Sequence, residues 1–178
     1  MKLCLLLANG FEDLEAVGTI ALLRRGGVEV DLFTIEEQAP IGKYGMELGQ
    51  VKPISLLKKE NYQMIVLPGG PGFASLKKHE AVIELLHYFY RENLYLAAIC
   101  AAPTILGSLG MLEGKTYTCF PGMQEDAFLG EYVQDKAVID GTIITGKAAG
   151  AVTDFALAIL SVAKDVETAN RIRQEVYY

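Results

Sequence analysis

An α/β fold, with a doubly wound and mostly parallel sheet covered by helices on both faces, is what this 178-residue sequence predicts. Three observations carry that expectation. Apolar runs of strand length alternate with amphipathic, helix-length stretches from one end of the chain to the other. The runs are apolar at consecutive positions, as strands are when a parallel sheet is buried between two helical layers. Glycine and proline turns close the runs, and right-handed crossovers then wind the sheet in both directions. In such folds the ligand crevice lies beyond the carboxyl ends of the strands.

Leu3–Leu7 is the first buried run, ended by Asn9-Gly10. Leu14–Arg25 carries apolar residues at Leu14, Val17, Ala21 and Leu22 and meets Gly26-Gly27, the pattern of a helix with a glycine stop. Val28–Thr34 reads as the second strand. Ile41–Val51, interrupted by Gly42, Gly45 and Gly49, reads as a small hairpin. Met64–Leu67 is a third core strand, and the Pro68–Gly72 run after it is a loop that cannot be helical. Ala81–Glu92 is helical by period, with Val82, Leu85, Leu86 and Phe89 on one side. Tyr95–Ile99 is another buried strand. Ala102–Leu109 follows as a short helix, with Pro103 where an early-turn proline is tolerated. Tyr117–Cys119, Ala137–Ile139 and Ile143–Thr145 read as later strands, Ala151–Lys164 as a long apolar helix and Val166–Val176 as a polar closing one. With no repeat, low-complexity segment or linker, residues 1–178 read as one domain.

Composition narrows the function. An apolar fraction of 51% with 21% charged residues is that of a globular chain. Sixteen basic against 22 acidic residues give a formal charge of −6, and no long basic cluster exists. That excludes the electrostatic footprint of a nucleic-acid or anionic-membrane binder, and points to small molecules or a second copy as partners. The apolar run Leu3–Ala8 is shorter than an export h-region and acidic residues follow it at once, so the chain reads as cytoplasmic. Cys4, Cys100 and Cys119 are an odd, widely spaced set and read as thiols rather than a disulfide framework. With only His79 and His87 besides, no metal site and no cofactor is expected.

Three loops fall at the crevice: Ala8–Asp13, Pro68–Phe73 and Cys100–Pro103. Cys100 ends a strand and precedes a helix, so the helix aims its free N–H groups at the thiol and favours the thiolate. Its flanks are small (Ala97, Ala98, Ala101, Ala102), allowing a tight turn and close approach of a substrate. A buried cysteine capping a core strand is the plainer reading. Gly69 and Gly70 let backbone N–H groups approach an oxyanion together with that of Ala101, or simply make a tight turn. Glu12, Asp13 and Glu15 sit in the first turn of the first helix, where carboxylates ordinarily complement the helix dipole. One of them, buried beside Cys100, would keep its proton and donate a hydrogen bond to sulfur. Spacing does not say which.

Read together, ANGFEDLEAV (8–17), LLRRGGVEV (22–30), IVLPGG (65–70), AAICAAPTIL (97–106), TCFPG (118–122) and DFALAI (154–159) resemble the ThiJ/PfpI superfamily, nearest the branch of the parkinsonism-associated protein deglycase and its bacterial relatives. The resemblance implies a flavodoxin-like sandwich of the class I glutamine amidotransferase type, and a homodimer. It implies that Cys100 is a nucleophile readily oxidised to a sulfinate. It makes Glu15 the protonated carboxyl on that sulfur, and Gly70 and Ala101 the oxyanion donors. It also sets Arg25 near the dimer contact and pocket.

Two departures stand out. Many members carry a histidine where this chain has Phe120, and close relatives have arginine-glycine-proline-glycine where it has Lys147-Ala148-Ala149-Gly150. The missing base argues against proteolysis and predicts weak turnover. Cys119, next to Phe120, reads either as a small buried side chain or as a thiol that captures oxidised Cys100. Two functions follow. One is a cofactor-free glyoxalase or deglycase acting on methylglyoxal-like α-oxoaldehydes or glycated groups. The other is a non-catalytic oxidative-stress sensor or chaperone working through Cys100. The family's name also ties it to thiamine biosynthesis, without a phosphate loop or thiazole site here to support it.

Overall fold

The computed structural model describes all residues, Met1–Tyr178. Its strands are β1 (Lys2–Leu7), β2 (Glu29–Thr34), β3 (Lys52–Pro53), β4 (Met64–Leu67), β5 (Tyr95–Ile99), β6 (Thr116–Tyr117), β7 (Glu131–Tyr132), β8 (Ala137–Asp140) and β9 (Ile143–Gly146). Its helices are α1 (Asp13–Arg25), α2 (Phe73–Lys78), α3 (Glu80–Arg91), α4 (Pro103–Ser108), α5 (Val152–Ala163) and α6 (Val166–Glu175). The main sheet runs β3-β2-β1-β4-β5-β9-β8. Every pair in it is parallel except β8–β9. The α/β sandwich expected from the apolar runs is the fold.

Consecutive apolar side chains explain the two layers. On β1, Leu3, Leu5 and Leu7 enter a core shared with α1, α5 and α6. The alternate residues Cys4 and Leu6 enter a second core with α3 and α4. The winding of the chain, not the direction of the strands, reverses between β1 and β4: it runs one way through β2 and β3 and the other through β4, β5 and β9. The crevice outside that switch point is therefore bordered by the ends of β1, β4 and β5. At the other end of the sheet, Asp31 ties three strands together. Its carboxylate accepts from the Tyr62 hydroxyl at 2.7 Å and from the Lys52 ammonium at 3.2 Å, and pairs with Lys2 at 3.1 Å. These partners, Tyr62 first, hold it at about 2.

Several elements differ from expectation, each because a hydrogen bond formed outside the local chain. Ile41–Val51 is not a hairpin ladder; one antiparallel bridge, Ile41–Glu47, remains. The Asp13 carboxylate takes the N–H groups of Tyr44 and Met46 instead. The strand expected over Tyr117–Cys119 is the two-residue β6, which leaves the main sheet to pair with β7. Beyond it, the Thr118 N–H goes to Thr145 Oγ1 and the Phe120 N–H to the Cys100 carbonyl, so no ladder continues. The sequence reading did not anticipate β3 or α2. No helix is long and apolar enough to cross a membrane.

Candidate active site at the β5–α4 turn

Cys100 lies one residue past β5 with φ +65°, the left-handed region a side-chain-bearing residue avoids at a cost of about 1–3 kcal/mol. The surroundings enforce it. Its N–H donates to Gly146 O at 2.9 Å, and its carbonyl accepts from Phe120 N at 2.8 Å. The turn closes with Ala102 N–H donating to Ile99 O at 3.1 Å. So held, the side chain projects off the sheet's end, with the backbone N–H groups of Gly70 and Ala101 close enough to its sulfur to favour the thiolate. Of the three cysteines, Cys100 alone retains access, 9% against 0% for Cys4 and Cys119.

The three acidic residues of the β1–α1 turn divide their work. Glu12 caps α1, its side chain accepting from Glu15 N at 2.7 Å. Buried Asp13 accepts from Tyr44 N at 2.9 Å and Met46 N at 3.1 Å, and with Lys43 N donating to Phe11 O at 2.8 Å it straps the 40–46 loop beside the crevice. Glu15, also buried, turns towards Cys100. Its Oε2 accepts from Gly69 N at 2.8 Å, Oε1 is buried with no hydrogen-bond partner, and the carboxyl lies beside the Cys100 side chain, both against Gly69. A carboxyl with one oxygen unserved fits a protonated acid that donates rather than accepts.

Gly69 is what lets the pair meet. A Cβ there would stand 2.6 Å from Cys100 Cβ and 2.7 Å from Glu15 Oε2. Gly70 has φ +81°, and a Cβ on it would meet Glu12 N at 2.4 Å. Both glycines are therefore steric requirements of the site, beyond the turn itself.

Electrostatics modify the expected thiolate. Burial pushes Glu15 up to about 7, with the Cys100 and Gly69 hydrogen bonds pulling back. Burial, then the Glu15 charge and hydrogen bond, push Cys100 up to about 12, against the pull of the Gly70 and Ala101 N–H groups. The helix behind it, α4, is only six residues long and does not outweigh burial. The pair thus titrates as a unit: one proton leaves near neutrality and the second only far above it. When Glu15 holds the shared proton, its charge no longer pushes Cys100 up, while the Gly70 and Ala101 N–H groups still favour the thiolate.

Other expected site residues fall elsewhere. Arg25 ends α1 ten residues from Glu15, about 15 Å along the helix, and faces Glu175 at 4.0 Å. Within one chain it is not a pocket residue. Cys119 belongs to the core on the opposite face of the sheet from that of Cys100, beside Tyr117 and Tyr132, so the two thiols are not brought together. Phe120 is adjacent to Cys100 through its backbone. His87 lies exposed on α3. The sequence reading missed Lys43, whose ammonium sits 5.0 Å from the Tyr44 ring centre and within Coulomb range of Glu12, Glu15 and Cys100. A lysine in a glycine-broken loop carries no local signal of that position. A hollow of about 620 Å³ between β8, α5 and α6 is lined by none of Cys100, Glu15 or Gly70.

The sequence profile of the DJ-1/PfpI family matches residues 1–162. The chain is 32% identical over 171 residues to protein DJ-1 homolog A of Arabidopsis thaliana, covering 93% of this chain and 44% of that protein. It thus spans less than half of that relative's length. It is 30% identical over 149 residues to a Pyrococcus horikoshii protein named a deglycase, covering 83% of this chain and 90% of that one. A crystal structure of a DJ-1 superfamily protein from Salmonella typhimurium superposes with a TM-score of 0.92 at 31% identity, over 99% of this chain and 98% of that one.

Proposed function

The chain belongs to the DJ-1/PfpI family, and from that premise we propose that it is a cofactor-free, cysteine-dependent glyoxalase or deglycase acting on α-oxoaldehydes such as methylglyoxal. The observation that carries this reading is the buried Glu15 carboxyl set beside the Cys100 side chain, the two meeting where Gly69 leaves room. The relatives named deglycases support the class of chemistry.

The steps follow from the pair. The Cys100 thiolate adds to the aldehyde carbon, a C–S bond forms, and the carbonyl pair moves to oxygen, which takes the Glu15 proton to give a hemithioacetal. The Gly70 and Ala101 N–H groups stand ready for the developing oxyanion. The Glu15 carboxylate then moves the hydrogen of that carbon, as a proton, to the neighbouring ketone carbon through an enediol. The first carbon is thereby oxidised to a thioester while the second is reduced to an alcohol, so no external oxidant enters. Water cleaves the thioester, releasing a 2-hydroxy acid and the thiol. On a glycated amine the same addition precedes release of the amine. With Phe120 where a histidine base is common, no third group assists, and turnover is slow.

The working unit is a homodimer in the cytoplasm. Supporting the dimer, the Asp13 strap gathers exposed Ile41, Tyr44 and Met46 next to exposed Leu14. The direct test is consumption of methylglyoxal by purified protein. Lactate formation that disappears in Cys100→Ser supports the reading, and equal consumption by both proteins overturns it.

A second reading is favoured by the access difference among the thiols: Cys100 as an oxidative-stress sensor whose sulfinate is held by Glu15 and the backbone donors. Intact mass after mild peroxide tests it. Two oxygens added at Cys100 alone are expected, and unselective oxidation rejects it.

A further inference from the structure

The chain holds Phe120 against the nucleophile by its backbone while leaving its ring bare. The Phe120 N–H donates to the carbonyl of Cys100 at 2.8 Å, which fixes the Phe120 Cα beside the reacting residue. The turn after it is closed by Met123 N–H donating to Phe120 O at 3.0 Å, with Gly122 at φ +88°. Met123 in turn packs against both cores, so the turn is anchored. Yet Phe120 is 45% exposed. A large aromatic on an anchored turn, within a side chain's reach of the only accessible thiol, presents free apolar surface where an adduct on Cys100 would extend.

The rest of that flank is also apolar. Ala101 is small, and the ammonium of Lys147, one residue beyond the Gly146 that holds the Cys100 N–H, is occupied by Gln134, at 2.7 Å from its Oε1 and 3.2 Å from its carbonyl oxygen. Charge lies on the other flank, where Lys43 is within Coulomb range of Cys100. The site is thus sided: backbone donors for the oxyanion, a cation on the α1 flank, and a bare phenyl ring on the flank of the β6 turn.

We propose that Phe120 is a specificity-determining residue that selects α-oxoaldehydes bearing an aryl or branched apolar substituent over methylglyoxal. This deepens, and rests on, the reading of Cys100 as the nucleophile of an α-oxoaldehyde-converting enzyme. The substituent on the ketone carbon lies next to the new C–S bond and packs on the phenyl face, where offset or edge-to-face aromatic contact adds to burial of apolar surface. Methylglyoxal, with only a methyl group, gains little there. Binding that persists from the adduct through the enediol lowers KM more than it raises kcat.

The test is kcat/KM for phenylglyoxal and for methylglyoxal in the native protein, Phe120→Ala and Phe120→Leu, each corrected by the consumption seen with Cys100→Ser. Comparing the ratio of the two substrates between variants cancels the intrinsic reactivity of each aldehyde. The expected result is a fall of about five- to ten-fold in the phenylglyoxal-to-methylglyoxal ratio for Phe120→Ala. The loss appears mainly in KM for phenylglyoxal, methylglyoxal loses less, and Phe120→Leu is intermediate. A ratio unchanged by Phe120→Ala in a protein that still consumes methylglyoxal through Cys100 overturns the role of Phe120 and leaves the proposed function standing. A change in sedimentation without a change in the ratio overturns it also, and assigns the ring to a subunit contact. If neither aldehyde is consumed in a Cys100-dependent way, the proposed function fails and this inference with it.

Discussion

Glu15 Oε2 accepts the Gly69 N–H at 2.8 Å, joining the first turn of α1 to the loop after β4 directly over Cys100. One hydrogen bond between residues 54 apart in sequence fixes the acid, and the absence of a side chain on Gly69 makes room for the thiol.

Gly69→Ala places a methyl group inside the contact distance of Cys100 Cβ, which the turn holds, and of Glu15 Oε2, which would have to turn away from the thiol. A loss of about 1–3 kcal/mol in denaturant-measured stability is expected, with loss of Cys100-dependent turnover. A stable, fully active variant contradicts the crowding.

Glu15 titrates near 7 rather than at its ordinary value near 4.5, because it is buried. A carboxyl raised on folding contributes stability that is fully present below about pH 4.5 and is lost as pH rises through about 7. The swing is up to about 3 kcal/mol. Glu15→Gln stays neutral throughout. Its melting temperature should match that of the native protein near pH 4.5 and exceed it at pH 8, while turnover disappears. Parallel melting curves at all pH values would refute the raised titration.

Thiol labelling distinguishes the cysteines. Under native conditions one equivalent of a small disulfide reagent should react, at Cys100, with Cys4 and Cys119 reacting only after unfolding. The rate should rise with pH through neutrality, because the Cys100–Glu15 pair loses its first proton there. Three thiols reacting at similar rates would contradict the burial pattern.

Asp13→Ala removes the acceptor for two backbone N–H groups and frees the 40–46 loop. A cost of about 2 kcal/mol is expected. Hydrogen exchange should speed up at Tyr44 and Met46 while β5 stays protected. Unchanged exchange at those two amides would remove Asp13 from this role.

Tyr62→Phe deletes the largest of the interactions that hold Asp31 down. The Asp31 pKa, followed by NMR, should move up towards 3.8, with about 1 kcal/mol lost at neutral pH. Stability from a lowered carboxylate is present above about 3.8 and lost as pH falls through about 2, so the variant and native protein should converge in acid.

The sequence determined the layers, because strand and helix periods are written in neighbouring residues: Leu3–Leu7, Met64–Leu67 and Tyr95–Ile99 are buried strands by their own composition. It also determined that Cys100 ends a strand at the mouth of the crevice, since a strand followed by Pro103 within a new helix leaves no other geometry. What distance in sequence hides was left to the tertiary structure. Glu12, Asp13 and Glu15 look alike in the chain, and only their approach to α1's own N–H groups, the 40–46 loop and Cys100 separates cap, strap and acid. Helix length set Arg25 at the wrong end of α1 for the pocket, and the sheet divided Cys119 from Cys100. Burial, a property of the packed whole, raised both members of the Cys100–Glu15 pair where local helix electrostatics alone argued for a free thiolate.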